Sequence, residues 1–257
     1  MANIEKTDAI VLKSWKLRET SLIITFFTRD FGKVKTISKG VRKKQSPLLS
    51  HFEPFTYQEI VFYHHPKREI NLITDSNLKE SFLFLRNNFK KICYASYLVD
   101  LVDEATQLYQ KQRDLFDLLL YSLCELKDIQ SSKLLRYFEI KLLDYIGIFP
   151  NFERCVICGR NDYLRNVSFS FRHGGIVCSR QSCRSKAFDL IKISSGCISS
   201  IIFLKNNIVC DLSKFQISKD IAVEMKEILQ KYISFFLNRE LKSIQFMREV
   251  SEVLTIR

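Results

Sequence analysis

Glycine and proline are scarce, with 7 and 4 residues in a chain of 257. With 46% hydrophobic residues, that scarcity excludes a disordered chain and indicates a packed, mostly regular protein. No run of eighteen apolar residues occurs, so no transmembrane helix is expected. The opening Met1-Ala2-Asn3-Ile4-Glu5-Lys6 lacks the apolar stretch of a secretory signal. Eight cysteines in such a chain are expected in a reducing compartment, where thiols serve metals instead of disulfides. Catalytic motifs are missing too: there is no Walker A loop, G-x-S-x-G, H-E-x-x-H or dinucleotide fingerprint. The four histidines (His51, His64, His65, His173) fall in expected loops. Asp100 and Asp103-Glu104 read as the polar face of a helix, not as converging metal carboxylates. These absences favour binding over catalysis.

What is present is positive charge. The formal net charge is +12, which favours an anionic partner, nucleic acid first and an anionic membrane second. The charge is local. Lys33, Lys35, Lys39, Arg42, Lys43 and Lys44 occur in twelve residues with no anion between them. From Arg154 to Lys192, eight cations face only Asp162 and Asp189.

That second basic stretch holds the sharpest chemical signal, two cysteine pairs: Cys155-Val-Ile-Cys158 and Cys178-Ser-Arg-Gln-Ser-Cys183. Two short Cys loops can supply the four soft ligands of a tetrahedral Zn²⁺ site. Gly159 follows the first pair and Gly174-Gly175 precedes the second, as tight turns would require. The second pair is wider than usual, and His173 is an alternative ligand, although a solvated loop position suits it better. A closed four-thiolate shell leaves no position for water, so this zinc would be structural. Cys93, Cys124, Cys197 and Cys210 lie in apolar segments and are expected in the core.

The first eighty residues read as β. Five runs rich in Ile, Val, Phe, Tyr and Thr (8–15, 21–28, 33–38, 56–63 and 69–74) fit a small five-stranded barrel of the OB type. Gly32 is expected to close a hairpin, and Pro66 to lie in a turn. From Ser76 the period becomes 3.6, with stripes through Leu78, Phe82, Leu85, Phe89 and Ile92, then Leu115 to Leu123, then Leu134 to Ile146. Gly147 and Pro150 stop the last of these. Helical pattern resumes at 195–204, 218–237 and 241–250. The expectation is an α+β protein: an OB-type barrel over 1–78, a helical domain over 79–150 and 193–257, and a four-cysteine zinc module inserted at 151–192.

In the third run Lys33, Lys35 and Lys39 share one parity and should line one face, although Ile37 interrupts them. With Arg42, Lys43 and Lys44 in the following loop, they form a candidate surface for tracking a nucleic-acid backbone. Most barrel aromatics must fill its interior; Trp15 and Tyr63 are the candidates for stacking on bases.

Several segments together resemble a known family. Thr7-Asp8-Ala9-Ile10-Val11-Leu12, Arg18-Glu19-Thr20-Ser21-Leu22 and Gly32-Lys33-Val34 through Lys39-Gly40-Val41-Arg42 resemble the N-terminal OB domain of the bacterial DNA repair protein RecO family. Leu134-Leu135-Arg136-Tyr137-Phe138-Glu139, Gly147-Ile148-Phe149-Pro150 and Cys155-Val156-Ile157-Cys158-Gly159 are similar to its central region. The resemblance implies a non-enzymatic, cytoplasmic, nucleoid-associated mediator of recombinational repair. Such a protein binds single- and double-stranded DNA, anneals complementary strands, associates with RecR and helps load RecA. It implies Lys33, Lys35, Lys39, Arg42 and Lys43 as DNA contacts, and Cys155, Cys158, Cys178 and Cys183 as zinc ligands. It also implies a contact with the acidic tail of single-stranded DNA-binding protein, for which Lys133, Arg136 and Lys141 on a central helix are candidates. Two rival classes are a zinc-containing protein–protein scaffold with incidental DNA contact, and a metal-dependent hydrolase.

Overall fold

The computed structural model describes residues 3–43, 48–65, 68–127, 131–161, 166–207, 212 and 215–247. Lys44, Pro66 and Cys210, named above, lie outside them. The chain divides into two compact units: Met1–Asp128 with Leu241–Arg257, and Ile129–Glu240.

The first unit is built on a closed barrel of five strands: β1 (Asn3–Leu17), β2 (Ser21–Thr28), β3 (Gly32–Ser38), β4 (Tyr57–His64) and β5 (Ile70–Glu80). Their order is β1-β2-β3-β5-β4, with β1 pairing antiparallel to both β2 and β4. Only β3 and β5 run parallel. Closure leaves no long sheet edge and forces inward residues to fill the lumen. Ala9, Val11, Leu22, Ile24, Phe26, Val34, Ile60 and Phe62 do so, and Phe52, from a 3-10 turn at Leu49–Phe52, meets Phe26 edge-on at 6.2 Å. This is the expected OB-type topology. Gly32 closes the β2–β3 hairpin at φ +67, and a Cβ there would lie 1.9 Å from the Gln110 carbonyl oxygen. Both facts demand glycine.

Two strands differ from the sequence expectation. β1 begins at Asn3 because residues 3–8 pair with the far half of β4. β5 runs on to Glu80, where a helical stripe was expected from Ser76. Leu78 pairs with Gln58 and Glu80 with Tyr57, past two register shifts that let the strand bend. The Leu78–Phe82–Leu85 spacing is thus shared by a strand end and the short helix α1 (Leu83–Arg86), with Phe82 left-handed at φ +49 between them. Helix α2 (Phe89–Ala105) starts at Asn88, whose side chain accepts from the backbone N–H of Lys90 and Lys91. Helix α3 (Arg113–Glu125) turns Leu115, Leu119 and Leu123 inward and sets Phe116 against Phe27 of the barrel wall at 6.2 Å. Cys124 is exposed on α3, contrary to expectation, whereas Cys93 and Cys197 are buried.

The second unit contains helices α4 (Ser131–Tyr145), α6 (Ser195–Asn206) and α7 (Lys219–Leu237) and a small sheet of three strands. The sheet has the order β7 (Gly175–Val177), β6 (Ser168–Ser170), β8 (Leu190–Lys192), with a four-residue helix α5 (Gln181–Arg184) between β7 and β8. Gly147, at φ +79, ends α4 as expected, and Ile148 returns its N–H to the Leu143 carbonyl. Among the described residues, no helix is long and apolar enough to cross a membrane.

Candidate nucleic-acid interface and metal centre

The strand β3 alternates cleanly: Val34, Thr36 and Ser38 are buried, while Lys33, Lys35 and Ile37 face outward. The six cations expected to act together are not equivalent. Lys33 is 12% exposed at its side chain and lies 3.2 Å from Asp103 of α2, whose backbone carbonyl it also meets. Lys35 pairs with Glu69. These two therefore carry little free charge. Lys39 and Lys43 are exposed, and Arg42 is half-buried. Lys44 lies outside the described residues.

The segment after β3 is folded onto the β1–β2 turn. The Arg42 N–H donates to the Thr20 carbonyl at 2.9 Å, and the Arg42 guanidinium donates to the Arg18 carbonyl at 3.1 Å. One end of the barrel thus gathers Lys16, Arg18, Lys39, Arg42 and Lys43, with Glu19 as the sole carboxylate in the two segments 16–20 and 39–43. Among the described residues none of the five has a carboxylate partner. Lys16 and Arg18 were missed by sequence reasoning because they stand 21 or more positions before the basic run (39 − 18); only the β1–β2–β3 register brings them there.

Asp103, read earlier as part of a polar helix face, binds Lys13 at 2.6 Å as well as Lys33. Its burial opposes ionisation, but the hydrogen bond from Lys13 and the charges of both lysines hold its carboxyl below the usual range. Lys13, Lys33 and Asp103 together fasten α2 to the barrel.

On α4, Arg136 is buried beside the fully buried Glu139, at 2.5 Å. Lys141 is also buried and donates to the Lys205 carbonyl at 2.5 Å; burial holds its ammonium below the ordinary lysine range. Lys133 alone of the three is not fully enclosed.

The four cysteines do converge. The sulfurs of Cys155, Cys158, Cys178 and Cys183 all lie within 4.8 Å of one another, and those of Cys158 and Cys178 are 3.9 Å apart. A tetrahedral shell with Zn–S of about 2.3 Å needs sulfurs roughly 3.8 Å apart, so the donor set fits. The first loop turns at Gly159 (φ +72), whose N–H donates to the Cys155 carbonyl at 2.8 Å. It is zipped to β7 by Val156 N–H to the Ile176 carbonyl, an approach that leaves no room for a Cβ at Gly175. The wider spacing of the second pair is absorbed by α5, which turns Cys183 back toward Cys178. His173 is not in the cluster; its Nδ1 meets the Ser170 hydroxyl at 2.9 Å. Burial raises the Cys155 thiol, but N–H donors from Cys178, Cys158 and Ile157 outweigh it and bring the group to about 6. Cys183 is pushed up to about 12, by burial first and then by its sulfur neighbours. Four such sulfurs can hold one metal ion.

Family comparison agrees with this architecture. Residues 1–82 match the family model described as Recombination protein O N terminal, and residues 86–245 that described as Recombination protein O C terminal. The chain belongs to the RecO family. It is 35% identical over 244 residues to the DNA repair protein RecO of Caldicellulosiruptor saccharolyticus, covering 95% of this chain and 97% of that protein. It is 32% identical to the DNA repair protein RecO of Desulforamulus reducens, covering 95% and 94% respectively. Membership places the chain among proteins of DNA repair and recombination.

Proposed function

We propose that the chain is a non-enzymatic recombination mediator that grips DNA phosphates at the basic end of its barrel and anneals complementary strands. The supporting observation is the group of five cations without carboxylate partners, Lys16, Arg18, Lys39, Arg42 and Lys43, on one rigid barrel end. Annealing then needs no chemistry. Cations screen the repulsion between two phosphate backbones and concentrate the strands, while base pairing selects the partner. Lys35 joins this surface only by giving up Glu69, and Lys33 serves mainly to hold α2.

Family membership further supports RecR as a protein partner, RecA loading as the outcome, and the acidic tail of single-stranded DNA-binding protein as a ligand. Any contact of that tail with α4 rests on Lys133, since Arg136 and Lys141 are enclosed. The cysteine cluster is assigned a structural Zn²⁺ held by Cys155, Cys158, Cys178 and Cys183, on the fit of its sulfur spacing. When bound, the ion crosslinks the first cysteine loop to α5.

The test is annealing and gel-shift by the full chain carrying Lys39→Glu, Arg42→Glu and Lys43→Glu together. Loss of both activities with an unchanged circular dichroism spectrum supports the reading. Unchanged annealing at moderate salt overturns it and favours a zinc-containing scaffold with incidental DNA contact.

A further inference from the structure

Ile37, which interrupts the lysine alternation of β3, belongs to a row that crosses the barrel. By strand register Trp15 stands opposite Ile23, Ile23 opposite Ile37, Ile37 opposite Leu72, Leu72 opposite Tyr63, and Tyr63 opposite Ile4. Every member is apolar or aromatic, and none is buried. Trp15 is 41% exposed and Tyr63 40% exposed. Elsewhere the same outer wall is covered: Phe27 lies under Phe116 of α3, and Lys33 under Asp103 of α2. The row is the part of the wall that these helices leave bare.

Its flanks are cationic. Along β3, Lys35 precedes Ile37 by two residues and Lys39 follows it by two, so both share its face or continue its line. From Trp15 to Tyr63 there are four inter-strand steps of about 4.8 Å, roughly 19 Å along the curved sheet and room for about three nucleotides. An apolar strip with an aromatic toward each end, bordered by lysines, matches unpaired bases beside their phosphates. A duplex hides its base faces and offers such a strip nothing.

We propose that this row is a base-contacting strip for single-stranded DNA, with Trp15 and Tyr63 as stacking platforms and Ile23, Ile37 and Leu72 as the apolar floor between them. The inference rests on the phosphate-gripping role of the basic barrel end and adds a preference for unpaired strands.

Trp15 is the chain's single tryptophan, so intrinsic tryptophan emission reports on this strip alone. The full chain is titrated with oligo(dT), with duplex DNA and with inorganic polyphosphate, which carries the charge without bases. Oligo(dT) should quench the emission, and polyphosphate should not. Trp15→Ala should weaken oligo(dT) binding roughly 5- to 150-fold while leaving duplex affinity unchanged, and Trp15→Phe should restore most of the loss. Ile37→Ser, on a neighbouring strand, should weaken oligo(dT) binding in the same selective way. Oligo(dT) binding with unchanged emission and full affinity in Trp15→Ala overturns the strip alone. Failure of the wild-type chain to bind any DNA overturns the phosphate reading and the strip with it. Emission that changes with protein concentration in the absence of DNA assigns the strip to a second copy of the chain and overturns the proposal.

Discussion

The Lys33 ammonium lies 3.2 Å from the Asp103 carboxylate, joining barrel strand β3 to helix α2, with both side chains less than 15% exposed. A lysine expected to meet DNA is thereby a brace. Lys33→Ala should lower unfolding free energy by about 1–3 kcal/mol, because it removes one of two cations from a half-enclosed carboxylate. DNA affinity of the folded variant should change little, in contrast to Lys43→Ala. Urea unfolding and gel-shift on the same samples separate the two effects.

The same carboxylate gives a pH dependence. Asp103 is held below its ordinary value in the folded state, so its contribution is fully present above about pH 4, the unfolded carboxylate range. The contribution is lost as pH falls from there through the depressed folded value. Unfolding free energy measured from pH 6 to pH 3 should drop more steeply for the wild-type chain than for Asp103→Asn. Parallel curves would show that the pair carries no net coupling.

Lys39, Arg42 and Lys43 should each govern salt dependence. Each duplex phosphate contact contributes about 0.9 to the slope of log affinity against log salt. Lys43→Ala should therefore reduce the duplex slope by about one, uniformly across sequences. Lys33→Ala should leave the slope unchanged, which makes the pair of variants a map of the basic end.

Much of this arrangement was legible in the chain itself. The five β runs, the Gly32 hairpin and the paired cysteines each follow from local chemistry: β-branched runs, a positive φ, and ligand spacing. What escaped was non-local. Whether Lys33 is free depends on Asp103, seventy residues later, and whether Lys16 belongs with Lys39 depends on strand register. The interruption at Ile37 looked like a flaw in one strand's pattern until the neighbouring strands supplied Ile23 and Leu72. Helical spacing through Leu78 misled for a related reason, since β5 gains its extra length by pairing with β4.

Removing the metal should act on the cysteine cluster without touching the barrel. The purified chain should contain one Zn²⁺, and Cys183→Ser should abolish it, since three thiolates and a hydroxyl form a far weaker set. Thermal unfolding of the variant should begin at lower temperature, while oligonucleotide binding survives at temperatures where it remains folded. Metal analysis, calorimetry and gel-shift check the three statements.

Arg136 and Glu139 provide the sharpest contrast between a charge that recognises and a charge that supports. Both are buried on α4, one turn apart and 2.5 Å from each other, and the Arg136 Nε and Nη1 find no hydrogen-bond acceptor. Removing the carboxylate with Glu139→Ala leaves a guanidinium buried without its counter-charge, at a cost of about 3–5 kcal/mol. Replacing both, Arg136→Met with Glu139→Leu, removes the desolvation penalty along with the attraction and should recover most of that loss. Binding of an acidic peptide should be unaffected by the double replacement and weakened by Lys133→Glu, if α4 meets such a peptide at all. A double variant as unstable as Glu139→Ala would show that the pair's hydrogen-bond geometry, not its burial, holds the helix in place.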